Sequence, residues 1–436
     1  MTQSIAIEPI ESFNATIRPP GSKSLSNRAM LLAALAEGES TLTHLLLADD
    51  TRHMISALKD LGFELQLDEP ANQLRLIGRS GTIPSQLCNL HLGNAGTALR
   101  PLTAALCLSK TGTYQLDGEP RMRQRPIREL VDALRLIGGQ ITYGANEGYP
   151  PLHVTGRGLA GGQVTLGTTQ SSQFITSLLM IGPYCEHDLI LRFDGDITSR
   201  SYVEMTISLM KTFGVNLECD QRLHEIKVPT GRYRAVTYDI EPDASSASYF
   251  LAAAAIIPSS RCTIQGLGKN SLQGDVGFAD VLHQMGAGLL FGPDFITVMA
   301  PSGGQSLHGI DIDMNRMPDM AQTLAVVALF AEGPTMIRNV GNLRVKETDR
   351  MVALQTELKK LGADIVIDGD TIRIDPPADN KIKAAAIDTY DDHRMAMSCA
   401  IAGLRSPGPG IIINDPTCVN KTFPGFFGYL ERLRNQ

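Results

Sequence analysis

Leu58-Lys59-Asp60-Leu61-Gly62-Phe63 closes an amphipathic helix on a glycine and runs directly into a β-like stretch. The chain repeats this signature at Leu134–Gly138, Leu209–Gly214, Leu282–Gly286 and Leu358–Gly362, with Val215, Ala287 and Ala363 in the place of Phe63. Glycine fits because it enters the left-handed region that ends a helix without a Cβ penalty. The closing glycines stand roughly 76, 76, 72 and 76 residues apart, and Phe426–Leu433 reads as a sixth, shortened copy.

A second signature keeps the same period. A small-residue start rich in Ser, Thr or Asp leads into an Ala/Leu-rich helix at 22–35, 94–106, 171–180, 243–256, 318–330 and 391–404. Taken at Ser24, Thr97, Ser172, Ser246, Asp319 and His393, its steps are roughly 73, 75, 74, 73 and 74 residues. Two signatures in phase predict six repeats of about 73 residues, each with two helices and several strands, which is an α/β chain. No repeat carries the polar outer face of a solenoid cap, so three repeats per domain is the better expectation. Turn residues interrupt the pattern at Arg18-Pro19-Pro20-Gly21 and at Asp239–Asp243. Hinges near 18–21 and 239–243 give one domain from residues 1–19 plus 241–436 and another from 20–240.

At 436 residues the chain exceeds one ordinary core, and its length alone favours two domains over three. A net charge of −7 without a basic run argues against a nucleic-acid surface, so positive charge for any anionic ligand must be gathered locally. The seven cysteines form no C-x-x-C pair, and residues 1–9 lack the charged flank and apolar core of a targeting segment. Reduced thiols in the cytoplasm are expected. Apolar runs such as Tyr249–Pro258 are too short to span a bilayer.

The helix starts hold the chemistry. Gly21-Ser22-Lys23-Ser24 with Arg28 places two cations where backbone N–H groups and a positive dipole already face outward. That arrangement suggests a compensating anion, the alternative being a capped helix start with solvated charge. Gly93-Asn94-Ala95-Gly96-Thr97 allows close backbone approach, with Arg100 one turn on, and Arg121, Arg123 and Arg125 fill a following loop. Ser171-Ser172-Gln173 supplies hydroxyl and amide donors, which capping explains equally well, and Thr198-Ser199-Arg200-Ser201-Tyr202 supplies another hydroxyl cluster. Asp319 stands where a helix cap is common. In Asn342-Leu343-Arg344-Val345-Lys346-Glu347-Thr348-Asp349-Arg350, crowded charges of both signs would shift pKa values, as proton transfer needs. His393 with Arg394 opens the last long helix, and Lys421 follows. The sequence holds no Walker loop, metal-site spacing, nucleophile elbow or complete dinucleotide fingerprint, so no metal or cofactor is expected.

Together these stretches resemble the 5-enolpyruvylshikimate-3-phosphate synthase family, in its glyphosate-sensitive class. The resemblance rests on G-S-K-S-L-S-N-R-A at 21–29, L-G-N-A-G-T-A-L-R-P at 92–101, R-P-I at 125–127, S-S-Q-F at 171–174, D-A-S-S-A-S-Y-F at 243–250, R-V-K-E-T-D-R at 344–350, D-H-R-M-A at 392–396 and K-T-F-P at 421–424. It implies the enolpyruvyl transferase fold, an inside-out α/β barrel. Its two similar domains each hold three β-α-β-α-β-β units and close over substrate.

It further implies transfer of the enolpyruvyl group of phosphoenolpyruvate to the 5-hydroxyl of shikimate 3-phosphate by addition and elimination, without cofactor, in a monomer inhibited by glyphosate. Carried over by residue, Lys23, Ser24, Arg28, Ser171, Ser172, Gln173, Ser199, Tyr202, Asp319, Asn342 and Lys346 would hold shikimate 3-phosphate. Lys23, Asn94, Gly96, Thr97, Arg100, Arg125, Gln173, Arg350, Arg394 and Lys421 would hold phosphoenolpyruvate. Lys23, Asp319 and Glu347 would divide the proton transfers. Arg200 and Ser201 depart from the family's S-K-P-Y pattern, which weakens the transfer of roles to that stretch. The related transferase acting on UDP-N-acetylglucosamine begins on a K-N motif and uses a loop cysteine. Here Ser24 follows Lys23, and Cys88 and Cys107 read as apolar packing.

Overall fold

The computed structural model describes residues 3–434 apart from Thr168 and Pro409. It divides into two compact units, Gly21–Ile240 and Met1–Pro20 together with Glu241–Gln436.

Six helices of the Gly21–Ile240 unit alternate in character: α1 (Lys23–Leu35), α2 (Asp49–Asp60), α3 (Gly96–Leu106), α4 (Arg128–Leu136), α5 (Ser172–Ile181) and α6 (Arg200–Thr212). α1, α3 and α5 are rich in Ala, Leu, Ile and Met and are buried on nearly every face. α2, α4 and α6 bury one side only. A helix apolar all round has to lie inside, while an amphipathic one covers it. Accordingly α3 packs on both α1 and α5, and α2, α4 and α6 pack outside them.

Three four-stranded sheets complete the unit, and they share one topology. Leu87–His91 lies parallel to Thr113–Asp117, which runs antiparallel to Leu152–Thr155, itself antiparallel to Gln140–Tyr143. Gly162–Leu166, Leu189–Phe193, Glu225–Val228 and Glu218–Cys219 repeat the pattern. In the remaining sheet the parallel strand is Thr237–Asp239, which returns from the far end of the unit to pair with Glu37–Thr43.

The second unit is built likewise from α7 (Ala244–Ile256), α8 (Phe278–Gln284), α9 (Ala321–Ala328), α10 (Arg350–Lys360), α11 (His393–Leu404) and α12 (Phe426–Leu433). Every residue of α7, α9 and α11 is buried, and these three helices pack on one another at the heart of its core. Even their polar contacts follow the repeat. Ser248, Thr323 and Ser398, each 75 residues from the next, form a chain of hydroxyls at 3.2 and 3.4 Å. The N-terminal segment is sewn into this unit twice. Asn14–Ile17 pairs parallel with Arg261–Gln265, and Ser4–Ile7 pairs antiparallel with Ile411–Asn414. The shortened sixth repeat ends at α12, so Ser4–Ile7 supplies the antiparallel strand that a hairpin supplies elsewhere.

The closing glycines behave as the sequence predicts: Gly62, Gly138, Gly214, Gly286 and Gly362 all adopt positive φ, between 86° and 109°. The helix starts are capped where expected by Ser22, Ser171 and Asp243, whose side chains accept from Leu25, Gln173 and Ser246 N–H. Asp319 differs. A 3-10 turn, Pro318–Met320, precedes α9, and the Asp319 side chain is turned to other partners than the helix start.

Candidate active site

In the Gly21–Ile240 unit, the residues singled out at three helix starts meet one another. Asn27 Nδ2 on α1 donates to Thr97 Oγ1 on α3 at 2.7 Å, and Arg100 Nη1 on α3 donates to Gln173 Oε1 on α5 at 2.6 Å. Burial of α1, α3 and α5 thus draws Lys23, Thr97 and Gln173 toward one end of the core. Lys23 Nζ lies 3.0 Å from Asp50 Oδ2, a nearly buried carboxylate on α2. Arg28 is buried, donates from Nε to Thr206 Oγ1 at 2.7 Å and from Nη1 to the Ser24 carbonyl at 3.0 Å, and sits 5.9 Å from the Tyr202 ring. Burial pulls its pKa down to about 10, with Tyr202 acting weakly the other way.

Of the three arginines in the 121–125 loop, one turns inward. Arg125 is buried and donates from Nη1 to both the main-chain and side-chain oxygens of Asn94, each at 2.9 Å. Arg123 instead pairs with Asp117 at the surface, and Arg121 bonds exposed Gln124. A Cβ built on Gly96 would lie 2.8 Å from Arg100 Nη1 and 2.9 Å from Arg125 Nη2. The two guanidiniums therefore flank the bare backbone of the α3 N-terminus. Ser24 and Ser171 are half-buried and Ser172 is buried. Ser199 precedes α6 in the left-handed region (φ 55°), which delivers Tyr202 to the face of Arg28. Arg200 turns aside to Glu204 at 2.8 Å and to the Gln221 carbonyl at 2.5 Å.

The oxygens that aim Arg28, Arg100 and Arg125 in these bonds are neutral: a hydroxyl, two amides and backbone carbonyls. They fix direction, and the Glu129 carboxylate is near enough to Arg100 for the two charges to act on each other. Guanidiniums fixed in direction and largely out of water present a preorganised field at the helix start.

In the Met1–Pro20 and Glu241–Gln436 unit, the cluster is a lattice of both signs. Asp319 Oδ1 lies 3.3 Å from Lys346 Nζ and 3.2 Å from Arg350 Nη1, while its Oδ2 is 3.1 Å from Arg394 Nη2. Burial alone would raise the Asp319 pKa, but Arg394, Lys346 and Arg350 outweigh it and hold the carboxyl well below the usual range. Arg350 is buried at the start of α10. Its Nη2 donates to Glu347 Oε2 at 2.9 Å, and its Nε and Nη2 grip Asp392 at 2.7 and 3.2 Å. Burial lowers the pKa of Arg350, and Asp392, Glu347 and Asp319 more than offset that, so the guanidinium stays charged.

Asp392 also caps α11 through Arg394 N–H at 2.8 Å. Tyr390 and Asp391, both left-handed (φ 56° and 54°), turn the chain into that cap. Asn342 lies in the 3-10 turn Gly341–Val345, which packs on α10 and on the Asp319 turn. Lys421 ends the 3-10 turn Pro416–Lys421, which packs on α11. His393 is buried in the first turn of α11. From the dense 342–350 run, Lys346, Glu347 and Arg350 join the lattice. Arg344 faces outward to Asp349, whose carboxylate caps α10.

Sequence reasoning left out four of the groups found here. Asp50 lies in the first turn of α2, where an acidic residue reads as ordinary, and Thr206 lies in the interior of α6. Ser245 and Asp275 join Arg394 by hydrogen bonds that no local pattern announces. The repeat was the available signal, since Ser245 sits at the same helix start as Ser24 and Asp319.

Cys88 and Cys107 are both buried, and burial pushes the Cys107 thiol up to about 12, so neither is a poised nucleophile. Among the described residues no group of three or more His, Cys, Asp or Glu is arranged to hold a metal ion. No helix among them is long and apolar enough to cross a membrane.

A two-unit α/β protein with anion-ready helix starts in one unit and interlocked cations and carboxylates in the other is equipped to handle small polyanions and their protons. Comparison with known proteins gives this class a family. The sequence profile of EPSP synthase (3-phosphoshikimate 1-carboxyvinyltransferase) matches residues 7–430. The chain is 49% identical over 434 residues to the 3-phosphoshikimate 1-carboxyvinyltransferase of Escherichia coli O127:H6, covering 99% of each. It is 50% identical over 428 residues to that of Tolumonas auensis, covering 97% of each. A solved structure of EPSP synthase from Acinetobacter baumannii superposes with a TM-score of 0.82 at 27% identity, covering 99% of this chain and 98% of that one. The chain belongs to the EPSP synthase family, and it is a transferase.

Proposed function

We propose that the chain transfers the enolpyruvyl group of phosphoenolpyruvate to the 5-hydroxyl of shikimate 3-phosphate, releasing phosphate, on the route to chorismate and the aromatic amino acids. The observation that carries the reading is the pair of buried guanidiniums, Arg100 and Arg125, flanking the Gly96 backbone at a helix N-terminus. That arrangement fits a compact dianion and leaves no room for a side chain.

In this reading Gly96, Arg125, Arg350, Arg394 and Lys421 hold phosphoenolpyruvate, while Asn94, Thr97 and Arg100 shape its loop. Ser171, Ser172, Gln173, Ser199 and Tyr202 hold shikimate 3-phosphate, joined by Ser24, Arg28, Asn342 and Lys346. The acceptor oxygen bonds to C2 of phosphoenolpyruvate as a proton is added to C3. The C3 proton then leaves, the C2–O bond to phosphorus breaks, and phosphate departs with the electron pair, leaving an enol ether.

Glu347 moves the C3 proton and Asp319 takes the hydroxyl proton. Lys23 assists at the hydroxyl or at the departing phosphate. Asp319 in its present lattice is a weak base, because three cations hold its pKa down. Anionic substrate draws Arg350, Arg394 and Lys346 toward itself, and the loss of those partners returns basicity to Asp319 when it is needed. Glyphosate, with a carboxylate and a phosphonate, competes for the same cations. The protein works as a monomer in the cytoplasm, a setting that suits its seven free thiols.

Phosphate release tests the proposal. It is expected only when phosphoenolpyruvate and shikimate 3-phosphate are both present. Release with UDP-N-acetylglucosamine in place of shikimate 3-phosphate would overturn the assignment of the acceptor.

A further inference from the structure

Two buried residues outside the roles above are joined to Arg394. Ser245 lies in the first turn of α7, and Asp275 lies in the 3-10 turn Gly274–Gly277, which packs on α7. Ser245 Oγ donates to Asp275 Oδ2 at 2.6 Å and accepts from Arg394 Nη2 at 3.2 Å. The same guanidinium reaches Asp319 Oδ2 at 3.1 Å and the Asp319 carbonyl at 3.4 Å. A serine hydroxyl has one proton. With that proton committed to Asp275, the oxygen can present only lone pairs to Arg394.

We propose that Asp275, acting through Ser245, is a positioning residue that fixes the guanidinium of Arg394 for the anionic substrate. The inference rests on Arg394 holding phosphoenolpyruvate. Without an acceptor oxygen at position 275, the Ser245 proton is free to rotate toward Arg394, where it repels the N–H it should receive. The guanidinium then loses the Ser245 contact while its bonds to Asp319 remain. Asp243 at the α7 cap, Asp319 from the turn before α9, and Arg394 from α11 all act on the charge of Asp275. Burial raises its pKa to about 6, with Asp319 and Asp243 adding to the rise and Ser245 and Arg394 opposing it.

The sign of the effect separates positioning from plain electrostatics. A buried carboxylate near an anion site weakens anion binding by repulsion, so its removal would tighten binding if charge were its only contribution. Positioning predicts the reverse.

The full-length enzyme is compared with Asp275→Leu, which removes the acceptor, with Ser245→Ala, the double variant and Arg394→Lys, and KM for each substrate and kcat are measured at neutral pH. Asp275→Leu and Ser245→Ala should each raise KM for phosphoenolpyruvate about fivefold to tenfold, the loss of one aligned charge-assisted hydrogen bond in part. The double variant should add nothing further, because both act through one hydroxyl. KM for shikimate 3-phosphate should stay within about twofold. An unchanged or lowered KM for phosphoenolpyruvate in the two single variants, or equal rises for both substrates, overturns the proposal. If Arg394→Lys itself leaves that KM unaltered, the reading of the site falls and the proposal falls with it. A raised KM in Arg394→Lys beside unaffected Ser245 and Asp275 variants sinks the proposal alone.

Discussion

Gly96→Ala tests the packing of the anion site through a single methyl group. The new Cβ would stand 2.8 Å from Arg100 Nη1, 2.9 Å from Arg125 Nη2 and 3.1 Å from Arg125 Cζ, where ordinary contact begins near 3.4 Å. Each guanidinium must therefore give by roughly 0.5 Å. Both are ends of flexible side chains, yet neither is loose. Arg125 is pinned by two bonds to Asn94, and Arg100 by Gln173 and the Pro126 carbonyl. A charge-assisted hydrogen bond contributes about 1.5–3 kcal/mol, and a shift of this size forfeits around half of one. KM for phosphoenolpyruvate should then rise roughly tenfold.

Glyphosate should suffer more. Its chain between carboxylate and phosphonate is one atom longer than the corresponding span of phosphoenolpyruvate, so it has less slack to yield. Overpacking of about 1–3 kcal/mol would raise its inhibition constant well beyond tenfold. Phosphate release at varied phosphoenolpyruvate, with and without glyphosate, gives both constants. If neither constant moves, the guanidiniums are not where the anion binds, and the packing argument is refuted.

Glu347→Gln should lower kcat by about 10²–10⁴-fold with little change in either KM, because the amide keeps a contact to Arg350 but cannot carry the C3 proton; near-normal turnover would remove Glu347 from the scheme. Asp275 gives a stability signature. Its folded pKa of about 6 lies above the ordinary aspartate value of 3.8, so the native state holds the proton more tightly and stability falls as pH rises between those values. The span of about 2 pKa units corresponds to about 3 kcal/mol. Relative to Asp275→Asn, the parent should lose that much between about pH 4 and pH 7 in denaturant unfolding, and a parallel pair of pH profiles would contradict it. Glu357 is buried and accepts from Tyr390 Oη at 2.7 Å, Lys360 Nζ at 2.7 Å and Asp388 N at 3.0 Å, beside the left-handed turn into α11. Glu357→Ala should cost about 2–4 kcal/mol of unfolding free energy, and a loss under about 0.5 kcal/mol would show that the network holds nothing.

The fold was legible because its repeat is written in residues that do not depend on tertiary context. A glycine at positive φ after an amphipathic helix, and a capping hydroxyl or carboxylate before an apolar one, are local requirements that recur in phase. What the period does not encode is strand exchange at the ends of each unit. Ser4–Ile7 pairs with Ile411–Asn414, and Thr237–Asp239 with Glu37–Thr43, through contacts hundreds of residues apart. The site was legible in part for a similar reason. Lys23, Thr97, Gln173 and Arg394 sit at helix starts, and helix starts are readable. Which arginine of the 121–125 loop faces inward was not, because Arg121, Arg123 and Arg125 share composition and differ only in what each meets. Asp319 shows the other limit. As a helix-start carboxylate it reads as a cap, and only the arrival of Lys346, Arg350 and Arg394 turns it toward cations.

The bond that breaks is the most direct point of test. Phosphoenolpyruvate carrying oxygen-18 between C2 and phosphorus is incubated with the protein and shikimate 3-phosphate, and the released phosphate is weighed by mass spectrometry. Attack at C2 and departure of phosphate predict that the heavy atom leaves in the phosphate, with an enol ether as the other product. Heavy oxygen left on the three-carbon fragment would mean that phosphorus was attacked instead, and the enolpyruvyl account would be wrong.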